Sequence, residues 1–476
     1  MSARADASER RWVVAVTGVA VVLCAASIAA GSIREADEVL HHLYAREVAS
    51  VPMNLLHVWG RPLVTAALAP LSTFGFDVAR WLSVAAFAVA AAYTLRAARA
   101  AGLRHPVVAP VALVMQPVVV SLLGGVWTEL PFAALIAVWA SARLERRHAF
   151  AGWICGLLPL VRPEGFLVGA VDLAFGLAGA WRTEDGLRLR WRSVVGIFGG
   201  TAAWAVVAAV VSGDPLWLVH HWPHDWAPAS SWGRGDWWWT VAVVRKILPW
   251  TLIPVFVVGL LANRRGRMSF AAATFLFVLG VHGALWATGS FGSAGYARYF
   301  VGLSPLIALL LASGWDSLVA SRFATSRVNT PVVAFVVLAA ATAWLDGHAW
   351  ERRPPPADAR VLARLGAAIA ARDPGAEAHA AHPFLYLGHP TTPAVRFEDM
   401  GDFAPAAVAA LPSGAWLVTE DRLYDPSTRN VKADDLPKAG FVEIDAGSLG
   451  VDPSPGDTSR EPWLAGFRPR VWIKRR

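Results

Sequence analysis

Long apolar runs separated by short charged stretches make up the first three quarters of the chain. The run from Trp12 to Ala30 contains no charged residue, and its length matches the ~20 apolar residues that a helix needs to cross a bilayer. Ten more runs are long enough, alone or in pairs, to cross as well. The pattern predicts an all-α polytopic membrane protein with about eleven transmembrane helices, near residues 12–31, 80–96, 106–124, 127–142, 149–162, 165–181, 193–212, 244–263, 268–289, 299–316 and 329–346.

Composition and charge support this class and add an orientation. The 476 residues are 55% hydrophobic and 16% charged, whereas an ordinary soluble domain has about 25% charged residues. A net charge of +8 would suit nucleic-acid binding, but the arginines cluster between apolar runs, which indicates membrane topology instead. With a cytoplasmic N-terminus, the inside loops hold 18 arginines, and the outside segments before residue 347 hold 9 basic residues. We expect a multi-pass protein of the cytoplasmic (inner) membrane. The alternative of a cleaved signal peptide fits less well, because the first apolar run exceeds the ~7–15 residues of a signal.

The chain becomes more polar after about residue 347. Arg352 and Arg353 precede three prolines, which is typical of a linker. We therefore divide the chain into a transmembrane domain at 1–346, a linker at 347–356 and a small α/β domain at 357–476. An odd number of crossings places this last domain outside the cytoplasm. Its predicted elements are a helix at Ala357 to Ala371 and strand-like runs at Phe384 to Leu387, Ala415 to Thr419 and Gly440 to Ile444.

The first dense charge cluster follows the first apolar run. An ionised Asp or Arg at the bilayer centre costs roughly 2.5–3.5 kcal/mol, so Arg34, Glu35, Asp37 and Glu38 belong at the water boundary. A carboxylate there can act as a general base that takes a proton from an attacking hydroxyl. His41 follows one turn later. The alternative reading of the acidic pair is a charged helix cap.

A second candidate site lies late in the membrane region. Arg298 and Tyr299 open the apolar run near 299–316 on the predicted outer side. A planar guanidinium there can clamp a phosphate, although a snorkelling interface arginine gives the same pattern.

Three further charged residues interrupt apolar sequence on the same side. Glu129 lies in a very short external loop, where it either supports the site or a metal ion, or caps a helix. Arg162 and Glu164 flank Pro163 and are candidates for a structural pair or for substrate contact.

The sequence gives little support for a metal site or a nucleotide-binding site. His220, His221, His224 and Asp225 could be written as a metal site, but prolines and tryptophans interleave them and favour interface packing. Cys24 and Cys155 lie inside apolar runs and imply neither a disulfide nor a metal site. No glycine-rich phosphate loop and no dinucleotide fingerprint is present.

Taken together, these residues resemble the GT-C superfamily of polyprenyl-phosphate-sugar-dependent glycosyltransferases, in particular the branch of the protein mannosyltransferases and the aminoarabinose transferase of lipid A. The shared features are Asp37-Glu38 in the first external loop, a proline downstream of it, and Arg298-Tyr299-Phe300 opening a late helix. They span roughly residues 10–320. Many relatives have a double proline after a lysine where this chain has Gly60-Arg61-Pro62, a difference that bears on sugar and acceptor rather than on fold.

The resemblance implies a role for each residue. Asp37 would be the general base, Glu38 would support it or the acceptor, and Arg298 with Tyr299 would bind the leaving phosphate. The other candidates would contact the acceptor or hold these groups in place: Glu129, Arg61, His41, Arg162 and Glu164, the last two in an Arg-Pro-Glu-Gly turn similar to that of bacterial members. Transfer would invert the sugar, so that one base suffices.

The implied partners are a polyprenyl-phosphate sugar, membrane lipid and a glycan, lipid or protein acceptor, with no nucleic acid. No cofactor is required; a divalent cation is compatible with the chemistry, but no residue pattern supports one. The expected reaction is transfer of a hexose or pentose to an acceptor hydroxyl at the outer face of the cytoplasmic membrane. Two alternatives remain open: a transporter or flippase of a lipid-linked sugar, although no clear internal repeat is visible, and a structural membrane subunit.

Overall fold

A computed structural model gives the fold of the chain. It describes residues 3–33, 35–180, 186–221, 234–290, 295–319, 329–346, 356–380, 383–388, 408–420, 433–452, 454, 467 and 469–475. These residues form two compact units. We call them the helical unit, Met1–Ser27, Leu56–Ala67 and Arg80–Glu351, and the sheet unit, Ile28–Leu55, Leu68–Ala79 and Arg352–Arg476.

Helices dominate the described residues. The first ten are α1 Ala3–Ala29, α2 Ala36–Arg46, α3 Pro62–Ser72, α4 Phe76–Ala79, α5 Trp81–Ala101, α6 Val108–Val114, α7 Pro117–Leu122, α8 Glu129–Leu144, α9 His148–Leu157 and α10 Glu164–Ala180. The others are α11 Gly186–Ser212, α12 Trp217–His220, α13 Trp239–Ile247, α14 Ile253–Asn263, α15 Ser269–Thr288, α16 Ser304–Val319, α17 Asn329–Asp346, α18 Ala357–Arg372 and α19 Leu385–Gly388.

The membrane-protein class is confirmed, and the count of eleven spans stays a prediction. Five described helices are long and apolar enough to cross a membrane: Glu9–Ala29, Phe76–Ala101, Trp191–Ser212, Ser269–Thr288 and Ala297–Val319. A sixth span is complete only if α13 and Trp250–Asn263, which meet at 102°, count together. The predicted span near 106–124 is also broken: α6 stops before Gln116, and α7 restarts at Pro117. Proline is well suited to such a restart, because the first helical residue needs no N–H partner.

Close backbone approach between α9 and α11 shows how the helical unit packs. Gly152 and Gly156 on α9 face Gly196 and Gly200 on α11, each pair four residues apart. A Cβ at Gly156 would overlap the carbonyl oxygen of Gly196, and one at Gly200 would overlap that of Gly156. Small residues at this spacing let two helices touch along their backbones, which is a common packing mode in membranes.

The sheet unit contains one four-stranded sheet. Its strands are β1 Ala378–Ala380, β2 Trp416–Glu420, β3 Phe441–Ile444 and β4 Pro469–Lys474, in the order β1-β2-β4-β3. β1 runs parallel to β2, with Ala378 opposite Trp416. β4 is antiparallel to both neighbours, with Trp416 opposite Ile473 and Phe441 opposite Lys474.

Alternating side chains give the sheet two apolar faces. The first core, on one face, contains Trp416, Val418 and Val471 and packs against α18. The second core, on the other face, contains Val408, Leu417, Leu436, Phe441 and Trp472. Successive residues of a strand point to opposite faces, so one short sheet supports both cores.

The first core also contains residues from the beginning of the chain. Ile33, and Val39 and Leu43 of α2, are buried in it together with Leu362, Leu365 and Ile369 of α18. Residues 28–55 and 68–79, which the sequence analysis assigns to the transmembrane domain, therefore group with the C-terminal residues. The apolar positions of α2 alone could not indicate a partner so distant in sequence.

The predicted secondary structure of the C-terminal domain is largely present. The expected helix is α18, and the runs at 415–419 and 440–444 form β2 and β3. The prediction of a strand at Phe384 to Leu387 was wrong, because Leu385–Gly388 is helical. A short apolar run does not distinguish strand from helix.

Candidate active site

A buried ion-pair network joins the starts of two helices in the helical unit. Glu129 is the first residue of α8, and Glu164 is the first of α10. Arg162 makes a two-pronged contact with Glu164, from Nη2 to Oε1 at 2.8 Å and from Nε to Oε2 at 3.1 Å. Its Nη1 lies 2.8 Å from Glu129 Oε1 and also donates to Thr128 Oγ1 at 2.8 Å. All three charged residues are at most 8% exposed.

Arg298 lies near the same carboxylate oxygen of Glu129 that Arg162 contacts. It belongs to a 3₁₀ helix, Ala297–Leu303, that leads into α16. Arg298 Nε is 4.0 Å from Glu129 Oε1, and the guanidinium lies 5.0 Å from the ring centre of Trp127 and 4.9 Å from that of Tyr296. We call Glu129, Arg162, Glu164 and Arg298 the charge cluster; with two carboxylates and two guanidinium groups, its formal charge is zero.

Tyr299 links the charge cluster to a histidine. The ring of Tyr299 lies 5.9 Å from the Arg162 guanidinium and stacks on His282 of α15, with centres 5.1 Å apart and planes at 19°. His282 Nε2 is 3.7 Å from Glu164 Oε1. His282 was not among the candidates chosen from the sequence, although a titratable residue in an otherwise apolar transmembrane helix is itself a signal of a site.

Arg61 occupies a strained turn in the helical unit. Its φ of 63° is in the left-handed region that favours glycine. The side chain is 8% exposed, donates from Nη1 to the Val58 carbonyl at 2.7 Å, and lies 5.4 Å from the ring centre of Trp59. These contacts hold the guanidinium in the turn just before α3.

The acidic pair lies in the sheet unit, in the first turn of α2. Asp37 is half-buried, Glu38 is 1% exposed, and His41 is half-buried one turn after Asp37. Arg34 lies outside the described residues. Acidic side chains in a first turn are favoured by the partial positive charge of the helix N-terminus.

His42 of the same helix is buried as a neutral group. Its ring meets Phe76 edge-on, with centres 5.4 Å apart. Burial, and to a smaller extent the charge of Arg46, lowers the pKa of His42 to about 3. Position 42 therefore adds no charge beside the acidic pair at neutral pH.

Comparison with solved structures finds the same fold elsewhere. The crystal structure of ArnT from Cupriavidus metallidurans bound to undecaprenyl phosphate matches with a TM-score of 0.64 at 15% sequence identity, covering 97% of each chain. ArnT from the same organism in the apo state matches with a TM-score of 0.65 at 15% identity, covering 98% of each chain. Comparisons with family models and with curated protein sequences gave no match.

The chain has the GT-C fold. The resemblance that the motifs predicted is thereby confirmed at the level of fold. The GT-C fold accounts for nearly the whole chain, whereas the motifs cover only roughly residues 10–320.

A second buried ion pair lies within the helices of this GT-C fold. Asp172 of α10 is 1% exposed; it lies 2.9 Å from Arg143 Nη1 and accepts a hydrogen bond from Trp139 Nε1 at 3.1 Å. The Arg143 guanidinium is 5.6 Å from the ring centre of Phe270. Asp172 therefore faces neighbouring helices, and its charge is paired there.

The histidine-rich segment around residue 220 is only partly described. His220 Nδ1 lies 2.7 Å from Asp214 Oδ2, and His221 stacks on Trp217 with ring centres 4.4 Å apart. His224 and Asp225 lie outside the described residues. Within the described ranges, no group of three or more histidine, cysteine, aspartate or glutamate side chains is arranged to hold a metal ion.

Proposed function

We propose that this protein is an inverting glycosyltransferase that moves a sugar from a polyprenyl-phosphate donor to an acceptor hydroxyl at the outer face of the cytoplasmic membrane. The observation that carries the proposal is the charge cluster, built on the fold of a protein solved with undecaprenyl phosphate. A membrane protein with a purely structural role could have apolar residues at these positions. Buried ionisable groups in membrane helices are costly and mark functional sites by default.

Arg298 is the proposed ligand of the donor phosphate. Its Nε is 4.0 Å from Glu129, too far for a hydrogen bond at that atom pair, while Arg162 is held at 2.8 Å by two carboxylates. Arg162 therefore orients Glu129, and Glu129 keeps Arg298 in place. A guanidinium can offer a phosphate two parallel N–H groups. Stabilising charge on the departing phosphate lowers the barrier of the transfer step.

Buried nitrogen atoms beside the charge cluster fit a polar ligand. Trp127 Nε1 and both ring nitrogens of His282 make no hydrogen bond within the described part of the chain. A buried polar group without a partner costs about 1–3 kcal/mol. We assign these groups to the sugar or phosphate of the donor, which would supply the missing partners.

Asp37 is the proposed general base, with Glu38 supporting it; His41 and Arg61 are proposed to contact the acceptor. The base removes the proton of the acceptor hydroxyl as the hydroxyl oxygen attacks the sugar carbon. The bond between this carbon and the phosphate oxygen breaks, and the polyprenyl phosphate leaves. No cofactor takes part in these steps.

The test is sugar transfer by purified protein in liposomes. Radiolabelled polyprenyl-phosphate sugars are supplied with a cell-envelope extract as acceptor. We expect Asp37→Asn to lower turnover by about 100-fold or more, the usual contribution of a general base. Asp77→Asn, at an exposed position in the same unit, is the matched control and should keep near-normal turnover.

A second variant tests the donor site. Arg298→Ala removes charge-assisted hydrogen bonds worth about 1.5–3 kcal/mol, so undecaprenyl phosphate should bind at least about tenfold more weakly. Failure of the wild type to transfer sugar from any donor, or full activity of Asp37→Asn, would contradict the proposed function.

A further inference from the structure

Helix α2 carries Asp37 and its contacts with the first core on different faces. Val39 and Leu43 are one turn apart and share a face, and both are at most 1% exposed. Asp37 precedes Val39 by two residues, which places it about 200° around the helix axis, on the opposite face. Whatever holds the Val39 face therefore sets the direction in which Asp37 points.

The Val39 face is held by the C-terminal part of the chain. Val39 and Leu43 belong to the first core, which is built mainly from α18, the segment around α19 and one face of the sheet. Leu365 and Ile369 of α18 are fully buried in it, as is Leu385 of α19. Since interiors are close-packed, a shift of this core moves α2 with it.

Other contacts within the sheet unit restrain the same helix. The amide of Asn54, 5% exposed, donates to the Tyr44 carbonyl at 3.1 Å. Phe76 of α4 meets His42 edge-on and also packs against the first core. Helix α2 is thus held by residues that follow it closely in sequence as well as by the C-terminal residues.

We propose that the C-terminal α/β structure positions the catalytic carboxylate, with Val39 and Leu43 as positioning residues for the transfer reaction. The proposal rests on the proposed function. A general base must lie within hydrogen-bond reach of the proton it takes, and a displacement of about 1 Å can cost about 100-fold in rate. The proposed phosphate ligands Arg298 and Tyr299 are not part of the first core, so loosening this core lowers turnover and leaves donor affinity unchanged.

The kinetic test compares the two cores of the same sheet. Leu43→Ala and Leu365→Ala loosen the first core, and Leu436→Ala is the control in the second core; all three side chains are at most 1% exposed. We expect the first two variants to lower kcat by about tenfold or more, with the donor KM within about twofold of wild type. Leu436→Ala should keep kcat within about twofold of wild type.

Conservative variants separate positioning from loss of folding. Leu43→Met keeps the side-chain volume and should restore kcat to within about threefold of wild type. If Leu43→Ala accumulates poorly, the smaller change Val39→Ala takes its place. Normal kcat in Leu43→Ala, or an equal loss in Leu436→Ala, would overturn the proposal.

A labelling experiment tests the positioning without any catalysis. Asp37→Cys is introduced with Cys24→Ala and Cys155→Ala, which replace two cysteines that are at most 1% exposed, and the rate of maleimide modification is measured. Adding Leu43→Ala should raise the rate about threefold or more through local opening, and adding Leu436→Ala should not. If the wild type transfers no sugar, the proposed function is wrong, but the labelling result still tests how Asp37 is held. An unchanged labelling rate with Leu43→Ala overturns the positioning proposal.

Discussion

Arg162 pairs with two buried carboxylates in the candidate site. Its guanidinium contacts Glu129 and Glu164 at 2.8 Å each, and all three residues are nearly inaccessible to solvent. Removing charges from water is costly, and only close, well-directed partners compensate for it. The loss of Arg162 would therefore leave two buried carboxylates close together without their shared counter-charge.

Arg162→Met should destabilise the folded protein by about 3–5 kcal/mol, the usual cost of breaking a buried ion pair. Arg96→Met is the control, because Arg96 pairs with Glu145 with half of its side chain exposed, and such pairs contribute about 0–1 kcal/mol. The measurement is thermal unfolding of both variants in detergent. Similar losses in the two variants would show that Arg162 contributes no more than a surface pair.

His42 links the stability of the sheet unit to pH. Its folded pKa of about 3 lies below the 6.5 of an unperturbed histidine, so the unfolded chain binds more protons between these two values. Stability is therefore fully present above about pH 6.5 and falls as the pH is lowered toward 3. The slope approaches about 1.4 kcal/mol per pH unit within that window.

His42→Leu should remove this pH dependence. On acidification from pH 7.5 to 5.0 we expect the wild type to lose up to about 2 kcal/mol more stability than the variant. The measurement is the free energy of unfolding of both proteins at pH 7.5 and pH 5.0, followed with a probe in the sheet unit. Parallel losses in the two proteins would mean that another group titrates.

At the scale of elements, glycine spacing governs how α9 and α11 meet. The overlap expected for a Cβ at Gly156 involves the backbone of α11, which no side-chain rotation can relieve. By contrast, a Cβ at Gly176 of α10 meets nothing within 4 Å. The two positions therefore allow one substitution to be compared with and without a steric penalty.

Gly156→Ala should destabilise the protein by about 1–3 kcal/mol, as overpacking usually does. Gly176→Ala should be neutral or stabilising by up to about 1 kcal/mol, because alanine favours the helix more than glycine does. Thermal unfolding of the two variants decides this prediction. A stable Gly156→Ala protein would show that α9 and α11 separate easily.

Some residues of the candidate site could be predicted from the sequence, and others could not. Glu129, Arg162 and Arg298 could be chosen from the sequence, because each interrupts apolar sequence. Their convergence could not, because it depends on how α8, α10 and α16 pack. His282 was missed because one histidine in an apolar helix looks like a core residue until Tyr299 is seen stacked on it.

At the scale of the whole molecule, hydropathy predicted the membrane class, and the motifs predicted the fold confirmed by the likeness to ArnT. Hydropathy could not predict that α2 packs with the C-terminal residues, because Val39 and Leu43 would give the same pattern in a helix lying on a membrane. The break between α6 and α7 was also hidden, since apolar residues continue on both sides of Gln116. Tertiary packing, which sequence periodicity does not record, decided both cases.

The proposed reaction breaks the bond between the sugar and the phosphate of the donor. The most direct measurement uses liposomes with a polyprenyl-phosphate sugar labelled in both the lipid and the sugar, together with the acceptor extract. We predict that free polyprenyl phosphate appears in a one-to-one ratio with sugar on the acceptor, and that Asp37→Asn abolishes both. Movement of the intact, doubly labelled donor to the other leaflet, with no free polyprenyl phosphate formed, would contradict the proposed transfer reaction and show a transporter.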